Sequence, residues 1–170
     1  MMNFIYLKQP LHRYTFKAPR IKSWVEWQCN GKTVLNLFAG PTRLSLCKEI
    51  SNDLNQDFET TYHLDALDCI KMLAEKSERF ERVVLDPPYS YRKSMEKYNG
   101  NLNSRFKRIL DVIPKILVQD GWVITFGYHS SVMSRKRGFK IKEICLISHG
   151  GAQHDTIVTV EERINKILDG

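Results

Sequence analysis

Phe80-Glu81-Arg82-Val83-Val84-Leu85-Asp86-Pro87-Pro88-Tyr89 decides the reading of this 170-residue chain. A largely apolar run stops at an acid followed by two prolines, and proline can neither donate to a ladder nor sit inside a central strand. The stretch therefore predicts a strand buried on both faces, with a carboxylate and a stiffened backbone at its carboxyl end. Outward from it, Thr33-Val34-Leu35-Asn36-Leu37-Phe38 ends at Ala39-Gly40-Pro41, and Trp122-Val123-Ile124-Thr125-Phe126 is bracketed by Gly121 and Gly127. Such runs, punctuated by turn residues and separated by helical stretches, point to a parallel sheet with helices on both faces.

Helical periodicity fills the intervals. Residues 66–76 place Leu67, Ile70, Leu73 and Ala74 on one face, and residues 104–117 do the same with Phe106, Ile109, Leu110, Ile113 and Leu117. Residues 20–28 read as a helix leading into the first strand, and residues 140–148 with 156–161 read as a closing hairpin. Between Gly40 and the segment that starts at Lys48 there is too little chain for a full crossover helix, which needs about ten to twelve residues or more. The first crossover is therefore expected to be shortened or replaced by a loop. Residues 60–65 would then form a third short strand ending in Asp65. The expected architecture is one compact α/β domain over residues 1–170, with residues 1–32 as a basic, helical lead-in. Its sheet should be Rossmann-like and mostly parallel, with about six or seven strands and an antiparallel final strand.

The composition excludes several classes. No apolar run is long enough to span a bilayer and the first residues lack the pattern of a signal peptide, so a cytoplasmic protein with no membrane partner is expected. Cys29, Cys47, Cys69 and Cys145 are widely spaced with no C-x-x-C pair, which disfavours a zinc site or a disulfide framework and suggests buried thiols. The net charge of +7 favours a polyanionic partner. Residues 1–32 hold six Lys/Arg against one acid, and residues 87–110 again hold six against one, whereas residues 33–86 carry six basic and ten acidic groups. A basic rim around a more acidic centre would suit a phosphate backbone outside and a cationic small molecule inside; ordinary solvated faces would give the same counts.

Asp86-Pro87-Pro88-Tyr89 after one buried strand, and Asn36-x-Phe38-x-Gly40 after another, resemble the class I S-adenosylmethionine-dependent methyltransferases. Within that family the chain looks like the amino-methyltransferase branch marked by D-P-P-Y, along nearly its whole length. The resemblance implies S-adenosylmethionine as cofactor, and Asn36, Phe38, Ala39, Gly40 and Pro41 as the turn that meets it. It further implies Asp53 as the acid that bonds the ribose hydroxyls and Asp65 as the acid near the adenine amino group; each also reads as an ordinary solvated carboxylate. Many family members carry an acid and a second glycine in this turn, where this chain has Asn36 and Gly40-Pro41-Thr42. Pro41 removes a backbone donor there.

The catalytic candidates are Asp86, Pro87, Pro88 and Tyr89. An exocyclic amino group of a nucleic-acid base is a poor nucleophile because its lone pair is delocalised into the ring. The Asp86 carboxylate can accept one of its N–H groups and the Pro87 carbonyl the other, while the prolines keep both acceptors from relaxing away. Tyr89 offers a flat face for an extruded base. No cysteine lies in a Pro-Cys element, so direct transfer without a covalent intermediate is expected. Arg92, Lys93 and Tyr98, in a basic and aromatic segment after the motif, and His149, between the last two strands, are candidate substrate contacts. A metal site from His149, His154 and Asp155 is disfavoured because methyl transfer from a sulfonium needs no metal. Residues 134–137 either grip phosphate or form a solvated helix end.

The substrate is expected to be DNA or RNA, with adenine N6 preferred because the D-P-P-Y word of the resembling family marks it. No separate target-recognition domain fits in this length, which points to structured RNA, loosely specific DNA methylation, or a partner subunit that supplies specificity; a homo-oligomer is a further expectation. Two alternatives remain: methylation of a protein glutamine amide, which the resembling branch marks with Asn at the first motif position, and a non-catalytic subunit of the same fold, which the altered Gly40-Pro41-Thr42 turn would suit.

Overall fold

A computed structural model describes residues 1–88, 104–151 and 153–164. Seven strands form one sheet: β1 (Asn3–Lys8), β2 (Thr33–Asn36), β3 (Lys48–Ser51), β4 (Phe80–Leu85), β5 (Leu117–Gly127), β6 (Phe139–Ser148) and β7 (Thr156–Arg163). Their order is β1-β6-β7-β5-β4-β2-β3. All neighbours are parallel except β7, which runs antiparallel to both β5 and β6. Among the described residues the α-helices are α1 (Pro19–Cys29), α2 (Ala66–Glu75) and α3 (Ser104–Val112).

The alternation of side chains along β2 and β4 explains their continuous apolar sequence. Leu35, Val83 and Leu85 enter one core with Ile70 and Leu73 of α2 and Ile109 of α3. Val34 and Val84 enter the other, with Val25 and Cys29 of α1 and Phe126 of β5. Each helix is set by local chemistry. Pro19 opens α1, where its missing N–H costs nothing, and Asp65 caps α2 by accepting the Leu67 N–H at 3.1 Å. The buried Glu143 of β6 accepts from Trp24 Nε1 and Gln28 Nε2 at 3.2 and 2.8 Å, which fixes α1 to the sheet.

Four expectations need correction. The lead-in is not only helical, since β1 precedes α1 and pairs with β6 along the sheet edge. The helix expected over 104–117 stops at Val112, because Pro114 has no N–H to continue it; a 3-10 turn (Ile113–Lys115) follows, and Leu117 already belongs to β5. Residues 60–65 pair through the single bridge between Asn52 and Tyr62. There the Thr61 N–H goes to Ser51 Oγ and the Ser51 N–H to Thr61 Oγ1, so side chains take bonds that a ladder would have used. In the run 134–137, Arg135–Arg137 form a 3-10 turn rather than an α-helix end, with Ser134 at its N-cap and Arg137 bonded to Asp111 at 2.7 Å.

The shortened first crossover is present: no helix lies between β2 and β3. Among the described residues no helix is long and apolar enough to cross a membrane. All four cysteines are free, and burial pushes the thiols of Cys29, Cys69 and Cys145 up to about 12 and that of Cys47 up to about 11. They are poor thiolate nucleophiles. Leu73, fully buried between α2 and the sheet, is the test of this core. Leu73→Ala should lower unfolding free energy by about 2–5 kcal/mol with an unchanged m-value in urea.

Candidate functional site

The chain order reverses direction across the sheet at β2, which has β3 on one side and β4 on the other. Ligands of open α/β sheets bind outside the carboxyl ends of strands at such a point. A cavity of about 670 Å³ lies there, within the roughly 300–1,000 Å³ usual for small-molecule sites.

Its floor is the turn after β2. Leu37 still donates to Val84 O at 3.1 Å and Ala39 to Asn52 O at 2.9 Å, so the turn is strung between β4 and the end of β3. At Gly40 the backbone adopts φ +63°, a left-handed conformation that a side chain would strain. The Gly40 N–H donates to Asp53 Oδ2 at 2.8 Å, and the other Asp53 oxygen accepts the Asn55 N–H at 2.9 Å. A carboxylate oxygen can accept more than one bond, so Asp53, which lines the cavity, holds the turn and keeps acceptor capacity. Asp65 lines it too while capping α2 and pairing with Arg105 of α3.

Asp86, Pro87 and Pro88 bring the end of β4 into the same cavity, beside Phe38, Ala39, Gly40 and Pro41. His149 and Thr156 enter from the β6–β7 turn, which therefore projects on the side of Asp86. His149 Nδ1 lies 2.8 Å from Gln9 O and Nε2 2.8 Å from Thr156 Oγ1. A carbonyl only accepts, so Nδ1 carries the hydrogen. Among the described residues no cluster of His, Cys, Asp and Glu has the makings of a metal site. Asn36 is placed differently: it is fully buried under the turn, donates to Glu49 Oε1 at 2.9 Å, and is not among the cavity-lining residues. Tyr89, Arg92, Lys93 and Tyr98 lie outside the described residues.

Three contributions escaped the sequence. Asn52, almost completely buried, donates to Leu37 O and Leu64 O at 3.3 and 2.9 Å and accepts the Leu64 N–H at 3.0 Å, so it ties three segments of the floor together. Residues 11–16 and 18 form one wall as the chain passes from β1 to α1. In that strap Phe16 meets Phe126 edge-on at 5.5 Å, and Tyr14 meets Phe58 edge-on at 5.8 Å with Arg13 over its ring at 5.2 Å. Leu54 and Phe58 complete the wall beyond β3. The basic and aromatic mixture of His12-Arg13-Tyr14-Thr15-Phe16-Lys17 is the one signal that could have pointed to it.

The sheet and its site can be set against known structures. The structure of SMU.776, a methyltransferase by assignment, complexed with SAH, matches 84% of this chain and 48% of its own with a TM-score of 0.62 at 14% identity. N-methyltransferase NodS from Bradyrhizobium japonicum matches 85% of this chain and 93% of its own with a TM-score of 0.58 at 12% identity. The fold is that of the Rossmann-like methyltransferases. By sequence, the chain is similar to the ribosomal RNA large subunit methyltransferase K/L of Pseudoalteromonas translucida, 30% identical over 98 residues. That match takes in 58% of this chain and 13% of the relative. No protein-family model matches the chain.

Within this methyltransferase fold the floor depends on Asn52. Asn52→Ala should leave the Leu64 amide and two carbonyls without partners and cost about 1–3 kcal/mol, read from urea unfolding. The same substitution should raise amide exchange at Leu64, which loses its acceptor.

Proposed function

We propose that this protein transfers a methyl group from S-adenosylmethionine to an exocyclic amino group of a nucleic-acid base, with adenine N6 in RNA as the preferred target. The observation that carries the reading is the meeting of Gly40, Asp53, Asp65 and Asp86-Pro87-Pro88 in one cavity at the carboxyl ends of β2, β3 and β4. The RNA preference draws on the sequence similarity to a ribosomal RNA methyltransferase and on the net charge of +7.

The donor set suits the cofactor. A Cβ at Gly40 would meet nothing within 4 Å, so the turn presents open backbone to the cavity. Thr42 Oγ1, on the same wall, is buried with no partner among the described residues. Two carboxylates offer acceptors for hydroxyl and amino hydrogens, and carboxylates favour a cationic ligand. When bound, S-adenosylmethionine supplies an electrophilic methyl on a sulfonium.

The chain's own residues do the rest. Asp53 would accept from ribose hydroxyls and Asp65 from the adenine amino group of the cofactor. Asp86 accepts one hydrogen of the target amino group and the Pro87 carbonyl the other, which draws the nitrogen lone pair out of conjugation and orients it. Pro87 and Pro88 hold these acceptors still, so little reorganisation is needed at the moment of reaction. Tyr89 would offer a flat face to the extruded base, and Arg92, Lys93 and Tyr98 would be further substrate contacts. His149 is held by Gln9 and Thr156, and so shapes the substrate side of the cavity.

Incubation with tritiated S-adenosylmethionine and, separately, RNA, DNA and protein from cells lacking the gene tests the reading. Label should appear in N6-methyladenosine after digestion of the RNA. Asp86→Ala should lower that transfer by about 10²–10³-fold while cofactor binding survives. Label confined to protein would transfer the reading to glutamine amides, and cofactor binding without transfer to any substrate would favour a non-catalytic subunit.

A further inference from the structure

The shortened crossover leaves a structural task open. In an open α/β sheet the turn after the first strand is ordinarily continued by a helix, whose first turn fixes the loop's backbone groups. Here residues 41–47 contain no helix, and Pro41 offers no N–H. Gly40 is nonetheless held on both sides of its backbone. Its N–H goes to Asp53 at 2.8 Å, and its carbonyl accepts from the Arg43 guanidinium.

Arg43 is in turn faced by Glu49 of β3, whose Oε1 lies 3.9 Å from Arg43 NH1, an ion pair beyond hydrogen-bond distance. Glu49 is itself fixed: Oε1 accepts from Asn36 Nδ2 at 2.9 Å and Oε2 from the Leu44 N–H at 3.2 Å. Its side chain is 7% exposed and that of Arg43 32%, so salt screens the pair less than it would two fully exposed charges. Asn36, which stands where many members of the resembling family have an acid, thus serves as a donor to a carboxylate supplied by the neighbouring strand.

We propose that Arg43 and Glu49 are positioning residues that replace the missing crossover helix, holding the Gly40 carbonyl so that the turn stays shaped for the cofactor. The inference rests on the reading of the cavity as a cofactor site. Neither residue lines that cavity, and both act through Gly40.

The groups that interact with Glu49 are Asn36 from β2, Arg43, Leu44 and Cys47 from the loop, and Lys22 and Cys29 from α1. Burial holds the Glu49 carboxyl above the usual carboxylate range, against the opposing pull of the Asn36 hydrogen bond and the Arg43 charge. Acidification from neutral pH should therefore protonate Glu49 before an ordinary carboxylate and weaken its hold on Arg43.

Calorimetry with S-adenosylhomocysteine and the intact chain tests this. Arg43→Gln should raise Kd about tenfold, and Arg43→Lys, which can still donate to the Gly40 carbonyl, should recover part of the loss. In turnover the same Gln variant should raise KM for the cofactor with kcat little changed. Wild-type affinity should fall on mild acidification, while Glu49→Gln should bind more weakly at neutral pH and lose that part of the pH dependence. Unchanged affinity in both Gln variants, or a loss that Arg43→Lys does not recover, would overturn the proposal. If Arg43→Gln fails to fold, the Lys and Glu49→Gln comparisons decide it alone. Absence of binding to the wild type would instead sink the cofactor reading, and this proposal with it.

Discussion

The hydrogen bond from the Gly40 amide to the Asp53 carboxylate joins the ends of two adjacent parallel strands, and the site is arranged around it. It requires Gly40 at φ +63°, which only glycine adopts without strain. It requires Asp53 one residue beyond Asn52, whose side chain bonds Leu37 O on one side and Leu64 on the other. Through those contacts the position of Asp65, the N-cap of α2, is tied to the same floor. The result is three acidic residues on three successive chain segments, Asp53, Asp65 and Asp86, all lining one cavity.

Among the described residues the fold reaches this arrangement with fewer helices than a doubly wound sheet usually carries. Residues 37–47 and residues 128–138 connect strands without an α-helix, the latter through a 3-10 turn. The loss is compensated by side-chain carboxylates that accept backbone amides. Glu26 takes the Ser45 N–H and hydroxyl, Glu49 takes the Leu44 N–H, and the buried Glu161 takes those of Val132, Met133 and Ser134. A loop pinned in this way satisfies groups that a helix would have satisfied internally. The strap between β1 and α1 then supplies the cavity wall that the short loops leave open, anchored at one end by His149 on Gln9 and at the other by Tyr14 on Phe58.

Legibility in the sequence followed the physics of each element. β2 and β4 are buried on both faces, so their apolar runs were unambiguous; β1 is an edge strand with Phe4 and Tyr6 61% and 54% exposed, and its apolar run carries no alternation that marks a strand. The apolar periodicity from Phe106 to Leu117 runs across Pro114, which ends the helix whatever the pattern around it. At the site, Gly40 and Asp86-Pro87-Pro88 were readable because glycine and proline restrict the backbone in ways that residue type alone reveals. Asn52, Arg43 and Glu49 were not, since their roles exist only through partners brought together by folding, and nothing in the type of a single Asn or Arg announces them. The resemblance to the methyltransferases implies Asn36 as part of the turn that meets the cofactor; strand pairing with β3 instead places its side chain against Glu49.

The central claim is that the cavity at the carboxyl ends of β2, β3 and β4 holds S-adenosylmethionine. Titration of ¹⁵N-labelled protein with S-adenosylhomocysteine, followed by amide chemical shifts, addresses it most directly. Saturable shifts should be concentrated at Gly40, Asp53 and Asp65, with Lys140 and Glu162, paired at the other end of β6 and β7, unaffected. Saturation without any shift at those three amides, or the absence of binding at cofactor concentrations far above those of a cell, would contradict it.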